Sequence, residues 1–155
     1  MDGLNLPTYS FNIKSKEGKQ LIYDEIRRQY ITLTPEEWVR QNIIRFLVQE
    51  RNFPLSLMSV EHYLKVGGRV RRCDVVVFSR RGTPVMIIEC KASDVPVSQA
   101  TLDQVASYNT SLKVDYLVVT NLRKTFACKM DYSSCSYRFI DDIPRYDLIE
   151  SGCSS

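Results

Sequence analysis

The stretch Arg72–Lys91, RCDVVVFSRRGTPVMIIECK, carries the strongest structural signal in the chain. Two runs of apolar, mostly β-branched residues, 72–78 and 85–91, flank the polar segment 79–84. Such runs are typical of buried strands, and the segment between them contains the glycine and proline of a turn. We therefore predict a two-stranded hairpin at the centre of the fold.

Charged residues interrupt both arms of this hairpin. Because side chains alternate across a strand, Glu89 and Lys91 share one face of the second arm. If Phe78 pairs with Val85, the register places Asp74 opposite Glu89, with Cβ atoms about 4.5–5.5 Å apart. Facing carboxylates destabilise a sheet unless a cation lies between them, and a hard divalent ion with oxygen ligands is the obvious candidate.

Without that ion, the same register predicts a strained site. One carboxylate of the pair is expected to have a raised pKa, because two like charges at this distance resist joint ionisation. Asp74→Asn should then leave the metal-free protein as stable as wild type, or more stable.

The residues before the hairpin predict an amphipathic helix. Thr34 is suited to the N-cap, Pro35 to the first helical position, and Glu37 to the return bond of a capping box. Arg40 lies off the apolar stripe of this helix. The stripe consists of Val39, Ile43, Phe46 and Leu47.

The full order of elements predicts an α/β fold, with a mixed β-sheet flanked by helices. We expect one domain over residues 1–155, with its core at about 20–145 and a frayed tail at 150–155. A helix between the second arm and the next strand makes those two strands parallel. Strands are expected at 11–14, 20–23, 57–66, 116–121, 126–132 and 137–140, and helices at 34–51 and 98–112.

Composition excludes several classes of protein. The 155 residues have a net charge of +3, too small to establish a nucleic-acid partner by itself. The single histidine, His62, argues against a zinc site or a histidine-based nuclease. Five cysteines without a CxxC pair, no signal peptide and no apolar run of about 18 residues predict a reduced, cytoplasmic protein that makes no membrane contact.

The arrangement of Asp74, the Glu89-x-Lys91 pair and a helix with Gln104-x-x-x-Tyr108 resembles the PD-(D/E)xK nuclease superfamily. Together with LTPEEWVRQ at 33–41 and Thr-Asn at 120–121, it looks like stand-alone relatives of the type I restriction enzyme R-subunit N-terminal domain. The resemblance covers roughly residues 20–145. Cys73 stands where the superfamily often has proline, and no phosphate-binding loop of a helicase motor is present.

The resemblance implies a restriction-endonuclease-like core and a Mg²⁺-dependent (or Mn²⁺-dependent) deoxyribonuclease. Asp74 and Glu89 would bind the ion, and Lys91 would orient or deprotonate the attacking water. Gln104 and Tyr108 would position the water, Lys91 or the phosphate backbone, and Glu37 would be a further acidic group of the site. The proposed phosphate contacts are Arg40, Arg69, Arg71 and Arg72.

Other interpretations remain open from the sequence. The domain could be a non-catalytic nucleic-acid-binding or accessory module that keeps the nuclease fold, or a phosphodiesterase acting on RNA. The charged residues could be solvated surface groups, and Glu37 only a capping residue. The expected partners are DNA, a separate motor or specificity subunit and, for an oligomer, a second copy of the chain.

Overall fold

The computed structural model describes residues 6–109 and 112–152, apart from the side chains of Val66 and Tyr108. These residues form a small three-stranded sheet and a larger six-stranded sheet with helices on its two faces. The small sheet contains β1 Ile13–Lys16, β2 Lys19–Asp24 and β3 Gln29–Thr32. The large sheet contains, in spatial order, β4 Met58–Val66, β5 Arg69–Phe78, β6 Pro84–Cys90, β7 Tyr116–Thr120, β8 Thr125–Asp131 and β9 Ser136–Ile140. The helices are α1 Pro35–Glu50, α2 Gln99–Tyr108 and α3 Tyr146–Gly152, and a short 3₁₀ turn spans Leu55–Leu57.

The large sheet is mixed, which confirms the predicted α/β class. Its neighbouring strands are antiparallel except β6 and β7, which run parallel and are joined through α2. A parallel pair needs such a crossover connection, so the order strand–helix–strand in the sequence predicts that these two strands are parallel. Across the described residues, each helix is too short or too polar to cross a membrane.

Helix α1 covers one face of the large sheet. The Thr34 hydroxyl accepts a hydrogen bond from the Glu37 backbone N–H at 3.0 Å, which caps the first turn as predicted. The predicted stripe is confirmed, because its side chains are at most 4 % exposed. It packs with α3 against alternate sheet residues: Val75, Val77, Met86 and Ile88.

Helix α2 covers the opposite face and is shorter than predicted. Leu102 and Val105 pack against Val76 and Ile87 of the sheet. The helix ends at Tyr108 rather than near residue 112, because the buried Asn109 caps its end. The Asn109 carboxamide accepts from the Val114 backbone N–H at 3.1 Å and donates to the Tyr132 hydroxyl at 2.8 Å.

The C-terminal segment forms a helix that the sequence did not predict. Residues 150–152, predicted to fray, form the last turn of α3, while 153–155 lie outside the described residues. Tyr146 and Ile149 are only 2 % exposed and belong to the core beneath α1. The core therefore extends beyond residue 145, because this helix buries two large side chains.

The small sheet has one strand more than the sequence predicted. The carboxylate of Asp24 accepts backbone N–H groups from Ile26 at 2.7 Å and Arg27 at 3.0 Å, which closes the turn between β2 and β3. This turn carries Arg27 to the start of α1, where its guanidinium contacts Glu37 at 3.0 Å. The small sheet is thus tied to the helix that borders the candidate site.

Candidate active site

The pairing of β5 with β6 stops in the middle of β5. Val75 pairs with Ile88, and no further pair is formed towards Arg69 among the described residues. At the other end of the pairing, Phe78 lies opposite Pro84 rather than the predicted Val85, because the register shifts after Val77. β5 continues beyond the fork as a long hairpin with β4, while β6 continues beside β7.

Asp74 occupies this fork. Its Oδ2 accepts the Cys90 backbone N–H at 2.8 Å, so the carboxylate takes the place of a strand partner. A protonated Glu89 would donate a hydrogen bond to Asp74, which is one cause that lowers the Asp74 pKa. Asp74 and Glu89 are 4 % and 7 % exposed. The structure therefore brings together the two carboxylates that the sequence placed opposite each other, although the strand ladder itself ends one residue earlier.

The cation beside Asp74 in this structure is Arg40. Its Nη2 donates to Asp74 Oδ1 at 3.0 Å, and its Nη1 donates to Glu37 Oε1 at 2.6 Å. Arg40 is only 3 % exposed, so its guanidinium is enclosed by acidic groups. The prediction of Arg40 as a phosphate contact is therefore corrected: α1 places this side chain against β5 rather than on an open face.

The hydrogen-bond partners of Asp74 together lower its pKa. Burial raises the pKa of Asp74, but the hydrogen bonds from Glu89, the Cys90 N–H and Arg40 lower it more, and the pKa lies below its ordinary value. The predicted raised pKa within the Asp74/Glu89 pair is therefore not that of Asp74, and for the pair it stays a prediction. The sequence offered no sign that a cation 34 residues away would reach Asp74.

Glu37 is held behind Arg40. Its Oε1 accepts from Arg27 at 3.0 Å and from Arg40, and its Oε2 accepts from the Gln41 side chain at 3.1 Å. The predicted capping box is thus only half formed, because the Thr34 hydroxyl caps the helix while the Glu37 carboxylate serves the ion pairs. Glu37 therefore acts on Asp74 only indirectly, by holding the Arg40 guanidinium that contacts Asp74.

Two acidic residues of this region were missed by the sequence reasoning. Burial, the charge of Asp74 and a hydrogen bond with Asp74 raise the pKa of Glu36, while Arg40 and Lys91 oppose that shift. Glu61 lies within 3.7 Å of Arg40 at a point where β4 has a positive φ of 52° and its pairing with β5 lapses. The sequence did contain a signal for Glu36. Two glutamates stand side by side at 36–37, and the helix cap at Thr34 explained only Glu37.

A cavity of about 240 Å³ opens on the α2 side of the fork. Glu89 lines it from β6, Lys91 from the residue after the end of β6, and Thr101 and Gln104 from the first turns of α2. Thr101 and Gln104, three residues apart on α2, both border the carboxylate site. The Tyr108 side chain, which was predicted to act with Gln104, lies outside the described part of the chain. The remaining lining residues are Val70, Arg71, Arg72 and Val105.

The other predicted phosphate contacts lie on the β4–β5 hairpin. Arg69, Arg71 and Arg72 are exposed, in contrast to Arg40. Arg72 pairs with Glu61 at 3.4 Å, so it joins the hairpin to the ion-pair cluster around Asp74.

The donor atoms at the fork suit a hard divalent ion. Asp74 and Glu89 offer carboxylate oxygens, and burial raises the pKa of the Cys90 thiol well above its ordinary value and that of Cys73 to about 12, so neither becomes a thiolate ligand. Within residues 6–109 and 112–152, no group of three or more histidine, cysteine, aspartate or glutamate side chains is arranged to hold a metal. Two carboxylates with water and backbone oxygens fit Mg²⁺, which retains several waters when bound.

Comparison with known proteins found a matching family model and a solved structure with a similar fold. The family model "Type I restriction enzyme R protein N terminus (HSDR_N)" matches residues 35–144. A solved fragment of a putative HsdR subunit of a type I restriction enzyme from Vibrio vulnificus YJ016 has a similar fold, with a TM-score of 0.53 and 18% identity. The match covers 77% of this chain and 25% of that chain, so this chain spans about a quarter of the solved one. No curated protein matches the chain.

Proposed function

Because the chain belongs to the family of the type I restriction enzyme R protein N terminus, we propose that it is a metal-dependent nuclease of PD-(D/E)xK type that hydrolyses DNA phosphodiester bonds. The observation that carries the proposal is the position of Asp74 at the strand fork, where its carboxylate accepts the backbone N–H of Cys90, the residue next to the buried Glu89. Lys91 and Gln104 border the same cavity as Glu89. A purely structural sheet has no need of two buried carboxylates at the end of a strand ladder.

Each residue has a distinct role in this proposal. Asp74 and Glu89 would hold Mg²⁺ or Mn²⁺. When bound, the ion would polarise the phosphate and lower the pKa of a coordinated water. Lys91, on the cavity wall beside Glu89, orients or deprotonates the attacking water and stabilises negative charge on the phosphate. Gln104, across the cavity on α2, holds that water or the Lys91 ammonium in position.

The other residues act on these groups from a distance. Arg40 fixes the Asp74 carboxylate through Oδ1, and Glu37 in turn fixes Arg40. Glu36, within the charge field of Asp74 and Lys91, adds a third carboxylate at the edge of the site. Tyr108 keeps its proposed role at the phosphate backbone.

One observation favours the alternative of a non-catalytic nucleic-acid-binding or accessory module. Both oxygens of Asp74 already have partners within the chain, Arg40 and the Cys90 N–H. The Asp74 carboxylate is therefore already paired with a cation in the absence of a metal ion, as in a retired active site.

Family membership also supports a role among other proteins. The related fragment is described as part of a type I restriction enzyme subunit, and this chain covers only 25% of its length. We propose that the domain acts on DNA together with a motor or specificity subunit, in the cytoplasm, as a monomer or homo-oligomer.

The direct test is cleavage of supercoiled plasmid, single-stranded DNA and RNA in Mg²⁺, in Mn²⁺ and in EDTA. Wild type should nick or cut DNA only with a divalent ion. Lys91→Ala should lower the rate by about 10²–10⁴-fold, the usual contribution of a positioned acid–base group, while metal binding persists. Lys16→Ala, a substitution of an exposed lysine on β1, is the matched control and should cut like wild type.

Three outcomes would contradict this account. Equal cleavage in EDTA would remove the metal from the mechanism. Wild-type activity in Lys91→Ala would show that this lysine has no role in the reaction. If wild type binds the ion but cuts none of the three substrates, the accessory-module alternative gains support.

A further inference from the structure

The hairpin of β4 and β5 projects beyond the rest of the large sheet. β6 pairs with β5 only from Val75 onwards, whereas β4 and β5 remain paired from His62↔Cys73 to Val66↔Arg69. Five residues in each strand therefore form a two-stranded ribbon, residues 62–73, roughly 16 Å long at about 3.3 Å per residue. Cys73 and Leu64 are buried against the α2 side, so the base of the ribbon is anchored in the core.

The ribbon is basic and contains no acidic residue. Between His62 and Cys73 the chain carries four cations and neither aspartate nor glutamate, although the whole protein is only +3. Within the described residues, neither Arg69 nor Arg71 forms an ion pair with a carboxylate. The large side chains Tyr63 and Val70 are 64 % and 61 % exposed. The four cations are Lys65, Arg69, Arg71 and Arg72.

The cations are distributed over both faces of the ribbon. Directly paired residues of antiparallel strands project to the same face, so Tyr63 and Arg72 share one face, and Leu64 and Arg71 share the other. Arg69 lies on the second face, two residues from Arg71. Leu64 and Cys73 cover the base of the second face against α2, so both faces are open only towards the tip, where Lys65 lies on the first face and Arg69 on the second. A flat anionic surface would contact only one face of the tip, whereas a groove between two phosphate backbones contacts both.

We propose that this ribbon is the DNA-binding element of the domain and that it lies in the major groove of B-form DNA. The major groove is about 12 Å wide and accepts a two-stranded ribbon, whereas the major groove of double-stranded RNA is too narrow and deep for side chains to read. This inference deepens the proposed function by naming the element that binds the DNA, and it rests on that function for the statement that the DNA is cut.

The position of the ribbon supports this assignment. Val70 and Arg71 on the ribbon and Glu89 and Lys91 on the sheet line one continuous cavity of about 240 Å³. A ribbon lying in the groove therefore brings one of the flanking phosphate backbones to the carboxylates. Arg71 at this boundary contacts the backbone next to the scissile phosphate.

The test is DNA binding in EDTA, measured by fluorescence anisotropy so that no cleavage occurs. The probes are a 20-base-pair DNA duplex, one of its single strands and an RNA duplex of the same sequence. Wild type should bind the DNA duplex at least tenfold more tightly than either of the other two. Filling the major groove with glucosylated 5-hydroxymethylcytosine should weaken binding by a similar factor, whereas distamycin in the minor groove should have little effect.

Variants identify the ribbon as the binding element. Arg69→Gln/Arg71→Gln should weaken duplex binding at least tenfold and reduce the salt slope by about 0.9 for each phosphate that the protein no longer neutralises. Val70→Glu, which adds a negative charge at an exposed position, should weaken binding as well. The matched control is Arg80→Gln/Arg81→Gln in the turn at the opposite end of β5, which removes the same charge and should bind like wild type.

The inference is overturned if the ribbon variants bind duplex DNA like wild type, or if single strands or the RNA duplex bind as tightly as the DNA duplex. An unaltered affinity for glucosylated DNA would overturn the assignment to the major groove. Ribbon-dependent binding in EDTA without cleavage in Mg²⁺ would instead contradict the proposed nuclease and leave the duplex-binding element intact.

Discussion

Arg40 and Arg71 lie on the two sides of the strand fork and are used in opposite ways. Arg40 is 3 % exposed and donates to both Asp74 and Glu37. Arg71 is exposed on the projecting ribbon and borders the open cavity above Glu89. Both arginines were predicted as phosphate contacts from sequence, yet only Arg71 presents its charge to solvent.

The difference shows that the surroundings of an arginine, rather than its nearness to the acidic motif, determine what it does. A guanidinium enclosed by carboxylates neutralises them and has little remaining capacity for a ligand. An exposed guanidinium without an acidic partner keeps its full attraction for a phosphate. The region around Asp74 is therefore a self-compensated charge cluster, and residues 62–73 are its exposed basic counterpart.

The largest expected effect separates these two arginines by stability. Arg40→Ala should lower the free energy of unfolding by about 3–5 kcal/mol, because it leaves buried carboxylates without their cation. Arg71→Ala should change it by no more than about 0.5 kcal/mol, as is usual for an exposed side chain. The measurement is urea unfolding of both variants in EDTA at neutral pH.

If Arg40→Ala and Arg71→Ala lose the same free energy of unfolding, the cluster around Asp74 and the ribbon at residues 62–73 do not differ in the way described. If Arg40→Ala is too unstable to purify, Arg40→Lys serves instead, because it keeps the charge but cannot bridge Asp74 and Glu37 with two nitrogens. It should be destabilised less than the alanine variant, and a stability equal to wild type would show that the bridge contributes nothing.

Much of the fold was predictable because local chemistry and tertiary structure agree. The Thr34 cap, the buried stripe of α1 and the parallel pairing of β6 with β7 follow from signals within a few residues. The approach of Asp74 to Glu89 also followed from hairpin alternation. In each case the determining contacts are close in sequence or fixed by a single crossover.

The features that were missed depend on distant contacts. The enclosure of Arg40 arises from a helix packing on a strand 34 residues away, which periodicity does not reveal. The end of α2 at Tyr108 depends on the bond between Asn109 and the Tyr132 hydroxyl. The extra strand β3 depends on the Asp24 carboxylate closing a turn that has no glycine.

A smaller effect concerns Glu36, at the edge of the compensated cluster. Its raised pKa means that the native state binds the Glu36 proton more tightly than the unfolded chain. This contribution to stability is present at low pH and is lost as pH rises through the raised value. Glu36→Gln should therefore be more stable than wild type at neutral pH in EDTA, and the difference should disappear well below the ordinary pKa of 4.5.

Thermal unfolding across this pH range checks the prediction, with Glu17→Gln in the exposed β1–β2 turn as the control. A Glu36→Gln variant that is less stable at neutral pH would show that Glu36 is compensated by Arg40 and Lys91, and the boundary of the compensated cluster would then include it.

The central claim is that Asp74 and Glu89 bind a divalent ion, and thermal unfolding with Mn²⁺ and with EDTA tests it most directly. Wild type should gain about 2.7 kcal/mol at a hundredfold excess of Mn²⁺ over Kd, and so should the control Asp141→Asn on the exposed surface. Asp74→Asn should be less stable than wild type in EDTA at neutral pH, because Asp74 with its lowered pKa contributes stability above its unfolded value. It should also gain far less from Mn²⁺. The absence of a shift in wild type, or an equal shift in Asp74→Asn, would contradict the claim.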